Sequence, residues 1–224
     1  MNKTFLLLLS SLILMNGRAQ QKKIDSSYNN IYYQQRMDLY NGLPHQKKAI
    51  VFLGNSITER GPWQELIPGK AVINRGIGGD NTFGVLARLD KVLEDKPAII
   101  FLLIGINDIG RSLPVTVIAD NYRRIVEKVK AQSPKTTLYL QSVLPMNDSI
   151  LTAAYLKNKK DTILALNKEI IKLAEEKKLI YINLHEVFAD VNGDLKPSLA
   201  LDGIHLKPAA YIHWVDYLRK KKLL

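Results

Sequence analysis

The stretch that decides the fold runs from residue 49 to residue 56 and reads Ala-Ile-Val-Phe-Leu-Gly-Asn-Ser. Five consecutive apolar residues ending at a glycine are typical of a β-strand that is buried on both faces, as in a parallel sheet. The serine after this glycine stands on a tight turn and precedes polar sequence with a helical pattern. A strand, a turn and a helix in this order predict one unit of an α/β fold.

The same alternation continues to the C-terminus. Apolar runs predict strands at residues 49–53, 71–74, 98–104, 137–143 and 179–183, and amphipathic patterns predict helices at 82–93, 114–131, 161–177 and 208–219. Strands that alternate with helices favour a parallel sheet with right-handed crossovers. We therefore predict one α/β domain over residues 49–224, a three-layer α/β/α sandwich around a parallel sheet of about five strands.

The composition excludes several classes of protein. With 224 residues, 46% hydrophobic and 24% charged, the chain has ordinary globular values, which argue against disorder, collagen and coiled coil. It has no cysteine, so disulfide scaffolds, thiolate metal sites and cysteine nucleophiles are excluded. Its four histidines lack the spacing of a helical zinc motif, and we expect no metal site.

The first residues predict export. Lys3 gives a short basic start, residues 5–15 form an apolar run, and Gly17-Arg18-Ala19 places small residues at the positions that a signal peptidase reads. The run is too short to cross a bilayer. A buried N-terminal helix is the alternative, but no apolar stripe follows. We predict a signal peptide over residues 1–19 and a mature protein that is periplasmic or secreted, with no membrane-spanning segment.

The chain is basic. Its formal charge of +11 falls to +9 when Lys3 and Arg18 leave with the signal peptide. Such a charge is compatible with anionic partners, including acidic polysaccharide, phospholipid surfaces and nucleic acid. The lysines are scattered, however, with small clusters only at residues 157–160 and 219–222. We interpret them as solvated helix ends and a basic tail, and we expect no nucleic-acid partner.

Residues 20–48 form a predicted N-terminal helical extension. Tyr28, Tyr32, Tyr33, Met37 and Tyr40 recur near helical spacing. They suggest either an aromatic platform for sugar rings or a helix that packs on the layers of the sheet, and we favour the second. Trp63 poses the same choice, and we again favour packing over sugar stacking.

Four blocks of polar and glycine residues fall just after predicted strands, where open parallel sheets bind ligands. They are residues 54–58 (Gly-Asn-Ser-Ile-Thr), 74–82 (Asn-Arg-Gly-Ile-Gly-Gly-Asp-Asn-Thr), 105–108 (Gly-Ile-Asn-Asp) and 202–206 (Asp-Gly-Ile-His-Leu). Each block alone has a structural explanation: a helix cap, a flexible turn, a turn asparagine and a buried Asp–His pair. The second block lacks the glycine spacing of a dinucleotide fingerprint.

Together, the four blocks closely resemble the SGNH or GDSL hydrolase superfamily, over about residues 49–214. The resemblance implies a flavodoxin-like sandwich, which agrees with the predicted alternation. The sequence departs from the pattern at Asn55, where the family's name motif has aspartate, and at Ile57. With the Asn-Arg-Gly-Ile-Gly-Gly stretch, this departure resembles a subgroup of platelet-activating-factor acetylhydrolase-like and carbohydrate-acetylesterase-like proteins.

The resemblance implies a role for each matching residue. Ser56 corresponds to the nucleophile, His205 to its general base and Asp202 to the group that orients the histidine. The backbone N–H groups of Ser56 and Gly79 and the side-chain amide of Asn107 correspond to the oxyanion hole. An acyl-enzyme route of this kind needs neither a metal nor an organic cofactor.

The expected function is that of an exported serine esterase that removes small acyl groups, most of all O-acetyl groups from carbohydrates such as sialate or polysaccharide. We expect short, polar loops after the strands, including residues 146–149 and 111–112, and hence a shallow site. The alternatives are a lysophospholipase or thioesterase with the same catalytic residues, and a glycan-binding or O-acetyltransferase-like relative. No sequence feature indicates the oligomeric state.

Overall fold

The protein was analysed as a computed structural model, which describes residues 24–224. In this part of the chain five parallel strands form one sheet in the order β2-β1-β3-β4-β5. The strands are β1 (Ile50–Gly54), β2 (Val72–Gly76), β3 (Ile99–Leu103), β4 (Thr137–Gln141) and β5 (Ile180–Ile182). The predicted parallel α/β fold is confirmed. Each predicted strand has its counterpart, with ends that differ by one or two residues.

Nine α-helices accompany the sheet within the described residues. They are α1 (Ile31–Gly42), α2 (Ser56–Glu59), α3 (Trp63–Leu66), α4 (Thr82–Leu93), α5 (Ile106–Gly110), α6 (Val115–Gln132), α7 (Lys160–Lys177), α8 (Leu184–Phe188) and α9 (Pro208–Lys220), with a 3₁₀ turn at Ala154–Leu156. The four long predicted helices correspond to α4, α6, α7 and α9. The short helices α2, α5 and α8 come soon after strands, and α3 follows α2. The helical pattern after Ser56 predicted α2, but the other three were not predicted.

The strand order explains the layers. The chain steps in one direction across the sheet from β2 to β3, β4 and β5, and right-handed crossovers therefore place α4, α6 and α7 on one face, where α6 packs against both of the others. The step from β1 to β2 runs in the opposite direction, which places α3 on the other face. Trp214 of α9 packs against Trp63 of α3 on that face, with 5.0 Å between the ring centroids.

Trp63 belongs to the core. Only 1% of its surface is exposed, its ring stacks on Phe52 of β1 at a centroid distance of 3.9 Å, and its indole N–H donates to the carbonyl of Thr58 at 2.8 Å. Packing is therefore the correct interpretation, and a role in sugar stacking is wrong because the ring is inaccessible. The contact with Thr58 also ties α3 to α2, the helix that begins at Ser56.

The N-terminal helix α1 is shorter than the predicted extension. Tyr33 and Tyr40 are buried in a small cluster with Ile77 of the loop after β2, and their phenol groups reach Gly84 of α4 and Gly76 of β2. This packing is polar as well as apolar, since both phenol groups donate to backbone carbonyls near that loop. Tyr32 is exposed.

The predicted signal peptide, residues 1–19, lies outside the described residues. Among residues 24–224 no helix is both long and apolar enough to cross a membrane.

The loop after β4 is not short, and that prediction is wrong. It runs from residue 142 to residue 159 before α7 begins, and a second long loop runs from 189 to 207 between α8 and α9. The two loops brace each other: the Asn147 N–H donates to the carbonyl of Gly203 at 2.9 Å, and the Leu195 N–H donates to that of Met146 at 3.0 Å. These backbone bonds give loop 142–159 a fixed place beside loop 189–207.

Candidate active site

Ser56 stands on a tight turn at the end of the central part of the sheet. A side chain on Gly54 would bring its Cβ to 2.2 Å from the carbonyl oxygen of Leu103, so the turn requires glycine. Buried Asn55 then caps α2, because its side-chain oxygen accepts the N–H of Ile57 at 3.0 Å. The result is a half-buried Ser56 at the first residue of a helix, with its hydroxyl group free to meet a partner from elsewhere in the chain.

That partner is His205. Its Nε2 lies 2.9 Å from Ser56 Oγ, although 149 residues separate the two in sequence. Its other ring nitrogen, Nδ1, lies 2.7 Å from a carboxylate oxygen of Asp202. The structure thus brings all three predicted relay residues together.

Asp202 is held by more than the imidazole. Its second carboxylate oxygen accepts the N–H groups of His205 at 2.8 Å and Ile204 at 3.2 Å. Partial burial alone would raise the pKa of Asp202, but the hydrogen bonds from the backbone and ring of His205 and from Ile204 lower it below its ordinary value. Asp202 is therefore a carboxylate at neutral pH, as a group that orients a histidine must be.

The other two predicted oxyanion donors follow β2 and β3, the strands on either side of β1. Gly79 has φ +76°, a backbone conformation that favours glycine, and its N–H group has no acceptor within residues 24–224. Asn107 lies in α5, and its amide nitrogen donates one hydrogen to the carbonyl of Asp80 at 2.8 Å, which leaves the second hydrogen for another acceptor. This bond joins the loop that carries Gly79 to the helix that carries Asn107.

A buried ion pair that the sequence analysis missed lies beneath these donors. Asp80 and Arg88 are almost completely buried, with 2.9 Å between Oδ2 and the guanidinium. The same guanidinium donates to the carbonyls of Gly54 at 3.0 Å and Arg75 at 2.9 Å. Arg88 therefore connects the ends of β1 and β2 to the Gly79 loop. One signal was present in the sequence: an arginine stands in the apolar stripe of α4, next to Leu89.

A second buried network was also missed. The carboxylate of Asp108 accepts both the N–H group of Thr82, at 3.1 Å, and its hydroxyl group, at 2.5 Å, and the amide of Asn121 donates to the same hydroxyl group at 2.9 Å. Burial raises the pKa of Asp108 to about 6, against the lowering effect of the hydrogen bonds from Thr82. Asp108 is the neighbour of Asn107, so this network fixes α5 against the start of α4.

No group of three or more histidine, aspartate or glutamate residues in the described part of the chain is arranged to hold a metal ion.

Comparison with known families gives this geometry a context. The profile of the GDSL-like Lipase/Acylhydrolase family matches residues 52–211, from β1 to α9, and so includes all five predicted site residues. The chain belongs to this family. The resemblance proposed from the four sequence blocks is thereby confirmed.

Similarity to individual members is partial. The esterase TesA of Pseudomonas aeruginosa is 36% identical over 34% of this chain and 38% of its own, and the platelet-activating factor acetylhydrolase IB subunit alpha1 of Bos taurus is 28% identical over 45% of each chain. The chain thus spans less than half the length of these two curated relatives. A solved structure from Streptococcus pneumonia, provisionally described as a platelet activating factor, is 31% identical and superposes with a TM-score of 0.79 over 85% of this chain and 92% of that one.

Proposed function

We propose that this GDSL-like family member is a serine ester hydrolase that removes short acyl groups, above all acetyl, and that Ser56, His205 and Asp202 carry out the reaction. The observation that carries the proposal is the continuous relay of hydrogen bonds from Ser56 Oγ to His205 and from His205 to Asp202. A serine hydroxyl is a poor nucleophile until a base takes its proton, and this relay supplies both the base and the group that fixes its tautomer.

The reaction has two halves. His205 Nε2 takes the proton of Ser56 as Oγ attacks the ester carbonyl, and the same proton then goes to the departing alcohol, which leaves an acyl-serine. Water attacks this acyl-serine, gives its proton to His205 and releases the carboxylic acid, while the proton returns to Ser56. The Asp202 carboxylate stabilises the imidazolium that forms in each half.

The negative oxygen of each tetrahedral intermediate needs donors that are already in place. We assign this role to the N–H groups of Ser56 and Gly79 and to the side-chain amide of Asn107. One such donor is worth roughly 3 kcal/mol of transition-state stabilisation when it is preorganised. Because Gly79 and Asn107 are fixed from beneath by the Asp80–Arg88 pair and the Asp108 network, they do not have to reorganise as the charge develops.

The acyl group and its carrier are inferred from less direct observations. Two of the similar proteins are described in terms of platelet-activating factor, one of them as an acetylhydrolase, which favours an acetyl group. Loop 142–159 places the exposed, polar Ser149 beside the segment that holds Asp202 and His205, where buried Asn147 orients it by accepting its hydroxyl group. A polar rim suits a polar alcohol, and we propose a carbohydrate carrier such as sialate or an acetylated polysaccharide.

The decisive experiment compares p-nitrophenyl acetate with p-nitrophenyl octanoate. Wild type, Ser56→Ala and the matched control Ser198→Ala, an exposed serine of loop 189–207, are assayed in parallel. We expect acetate to be the better substrate by kcat/KM, Ser56→Ala to be inactive and Ser198→Ala to retain wild-type turnover. Acetylated xylan and O-acetyl sialate then test the carrier.

Other outcomes would redirect the proposal. A preference for octanoate would favour a lysophospholipase or thioesterase. No turnover of either ester by a folded protein would contradict hydrolysis and favour a glycan-binding or O-acetyltransferase-like relative, which an assay with a sugar acceptor would distinguish.

We further propose that residues 1–19 are a signal peptide, that residues 20–48 form an N-terminal extension of the domain at 49–224, and that the mature enzyme acts in the periplasm or outside the cell. The basic start, apolar run and small residues before position 20 support this proposal. N-terminal sequencing of the protein recovered from the periplasm or medium of an expressing bacterium should begin at Gln20. A protein that stays in the cytosol with Met1 intact would contradict it.

A further inference from the structure

Residues 24–42, comprising α1 and the segment before it, contact each of the three elements that carry the proposed oxyanion donors. We call these residues the strap. They precede residues 52–211, the part of the chain that the family profile matches. The donors lie on α2, on the loop between β2 and α4, and on α5, and the strap bonds to the first two and to the residue that follows the third.

The strap holds the Gly79 loop from both ends. The buried phenol of Tyr40 donates to the carbonyl of Gly76 at 2.6 Å, and the buried phenol of Tyr33 donates to the carbonyl of Gly84 at 2.9 Å. Between these two points, Ile77 is completely buried against both tyrosine rings. The backbone on either side of Gly79 is therefore pinned by strap residues and by the floor of buried polar groups described above.

The strap also reaches the other two elements. The phenol of Tyr32 donates to the Glu59 carboxylate at 2.7 Å, and the guanidinium of Arg36 lies 3.1 Å from the same oxygen. Glu59 is the last residue of α2, the four-residue helix that Ser56 begins. On the far side, Arg111, directly after α5, donates to the backbone oxygen and the hydroxyl group of Ser27.

We infer that the strap is a positioning element of the active site, which sets the Gly79 N–H relative to Ser56 and Asn107. The inference rests on the proposed esterase function and deepens it. Tyr33 and Tyr40 act through the backbone of the Gly79 loop and do not touch the reacting atoms. Their hydroxyl groups keep the Gly79 N–H in place. If this N–H is displaced, its hydrogen bond to the oxyanion of the transition state is weakened, whereas binding of the uncharged ester is not.

The test removes one hydroxyl group at a time. Tyr40→Phe and Tyr33→Phe each delete a hydrogen bond to a residue that flanks the Gly79 loop, Gly76 or Gly84. Tyr28→Phe is the matched control, because it removes a strap hydroxyl group that makes no side-chain hydrogen bond within residues 24–224. Turnover of p-nitrophenyl acetate is expressed per active site titrated with a fluorophosphonate, so that loss of folded enzyme does not count. We expect kcat to fall by about tenfold to a hundredfold in Tyr40→Phe and Tyr33→Phe, with KM changed by less than about twofold.

A second measurement does not depend on turnover. Amide hydrogen exchange of Ile77 and Asp80, whose N–H groups lie on either side of Gly79 and donate to the carbonyls of Gly54 and Ile77, is followed by NMR. It should be faster in Tyr40→Phe and Tyr33→Phe than in wild type and unchanged in Tyr28→Phe. Wild-type kcat per titrated site and wild-type exchange in both variants would overturn the role of the strap. A wild type that hydrolyses no ester would refute the proposed function, and the exchange of Ile77 and Asp80 would then still decide whether the strap holds this loop.

Discussion

The two sides of the proposed catalytic cleft are built in different ways. On the proton-transfer side, the side chains of His205 and Asp202 remain 17% and 29% exposed, and they are linked to each other across only three residues. On the oxyanion side, the reacting groups rest on a buried floor in which the side chains of Arg88 and Asp80 are 1% and 0% exposed. One side is hydrogen-bonded locally near solvent, and the other is fixed by charges inside the protein.

This difference follows from what each side has to do. A histidine that takes and returns a proton in every turnover must tolerate both protonation states, which a partly solvated site with an ionised carboxylate permits. Oxyanion donors have one task, to be in place before the charge appears, and a rigid buried support serves it. Substitutions on the two sides should therefore have different consequences.

The largest effect is expected on the proton-transfer side. His205→Ala removes the base, and kcat should fall by about 10⁶-fold. Because Ser56 and His205 act as a unit, the double variant Ser56→Ala/His205→Ala should be no slower than either single variant. Single-turnover and steady-state rates measure this, with His213→Ala, an exposed histidine of α9, as the control. If the losses of transition-state stabilisation in the two single variants were additive in the double variant, Ser56 and His205 would act independently. That result would contradict the relay.

Arg88→Met should mainly reduce stability. It leaves the Asp80 carboxylate buried without its cation, which costs about 3–5 kcal/mol of the free energy of unfolding. Asp80→Leu/Arg88→Met, which removes both charges, should recover part of this loss, though not all, because the bonds to Gly54 and Arg75 are also lost. Urea unfolding at neutral pH gives both values. If the double variant were less stable than Arg88→Met, the unpaired charge of Asp80 would not be the cause of the instability of Arg88→Met.

Asn107→Ala removes one of the proposed oxyanion donors directly. Removal of one side-chain donor should lower kcat by about a hundredfold to a thousandfold while KM stays nearly constant, because the bond forms fully only in the transition state. The bond to the Asp80 carbonyl is lost as well, so the unfolding free energy is measured alongside. A change in KM alone would mean that Asn107 binds the substrate and not the oxyanion.

The smallest effect concerns Asp108 and pH. Its pKa of about 6 lies above that of an aspartate in the unfolded chain, so the folded state binds the proton more tightly and the carboxyl stabilises the fold most when protonated. As pH rises from about 4 to about 6, wild type should lose roughly 2–3 kcal/mol of stability relative to Asp108→Asn, which does not titrate there. Above this range the difference should be constant. Urea unfolding of both proteins at pH 4.5 and 7.5 measures this difference in unfolding free energy. The same difference at both pH values would contradict a raised pKa of Asp108.

The strands and the relay could be predicted because their signals are local. A continuous apolar run before a glycine predicts a buried strand wherever it lies, and Asp202 and His205 are three residues apart. Parallel topology then brings the ends of the strands to one edge, which pointed to residues 54–58, 74–82 and 105–108 as parts of one site. The roles proposed for Ser56, Gly79 and Asn107 came from the family resemblance. Short helices such as α3 and α5 were not predicted, because four or five residues are too few for a helical period to appear.

The support beneath the oxyanion donors could not be derived in the same way. The contact between Asp108 and Thr82 depends on how α4 and α5 pack, and the bonds of Tyr33 and Tyr40 go to backbone carbonyls, which have no sequence signature. Helical spacing correctly predicted that these tyrosines pack, but it did not identify the surface that they cover. The loop after β4 was misjudged because its polar residues mark loop structure but not its length.

The contact between Ser56 and His205 also makes the proposed catalysis depend on the segment that follows the last strand. Ser56, the proposed nucleophile, follows the first described strand, and His205, the proposed base, follows the last one. A chain that ended at residue 200 would therefore contain all five described strands but not the base. Contacts so distant in sequence are entropically costly to close and are expected to form late in folding. During refolding, ester turnover should therefore lag behind the recovery of secondary structure, and its appearance reports the docking of the final segment onto the sheet.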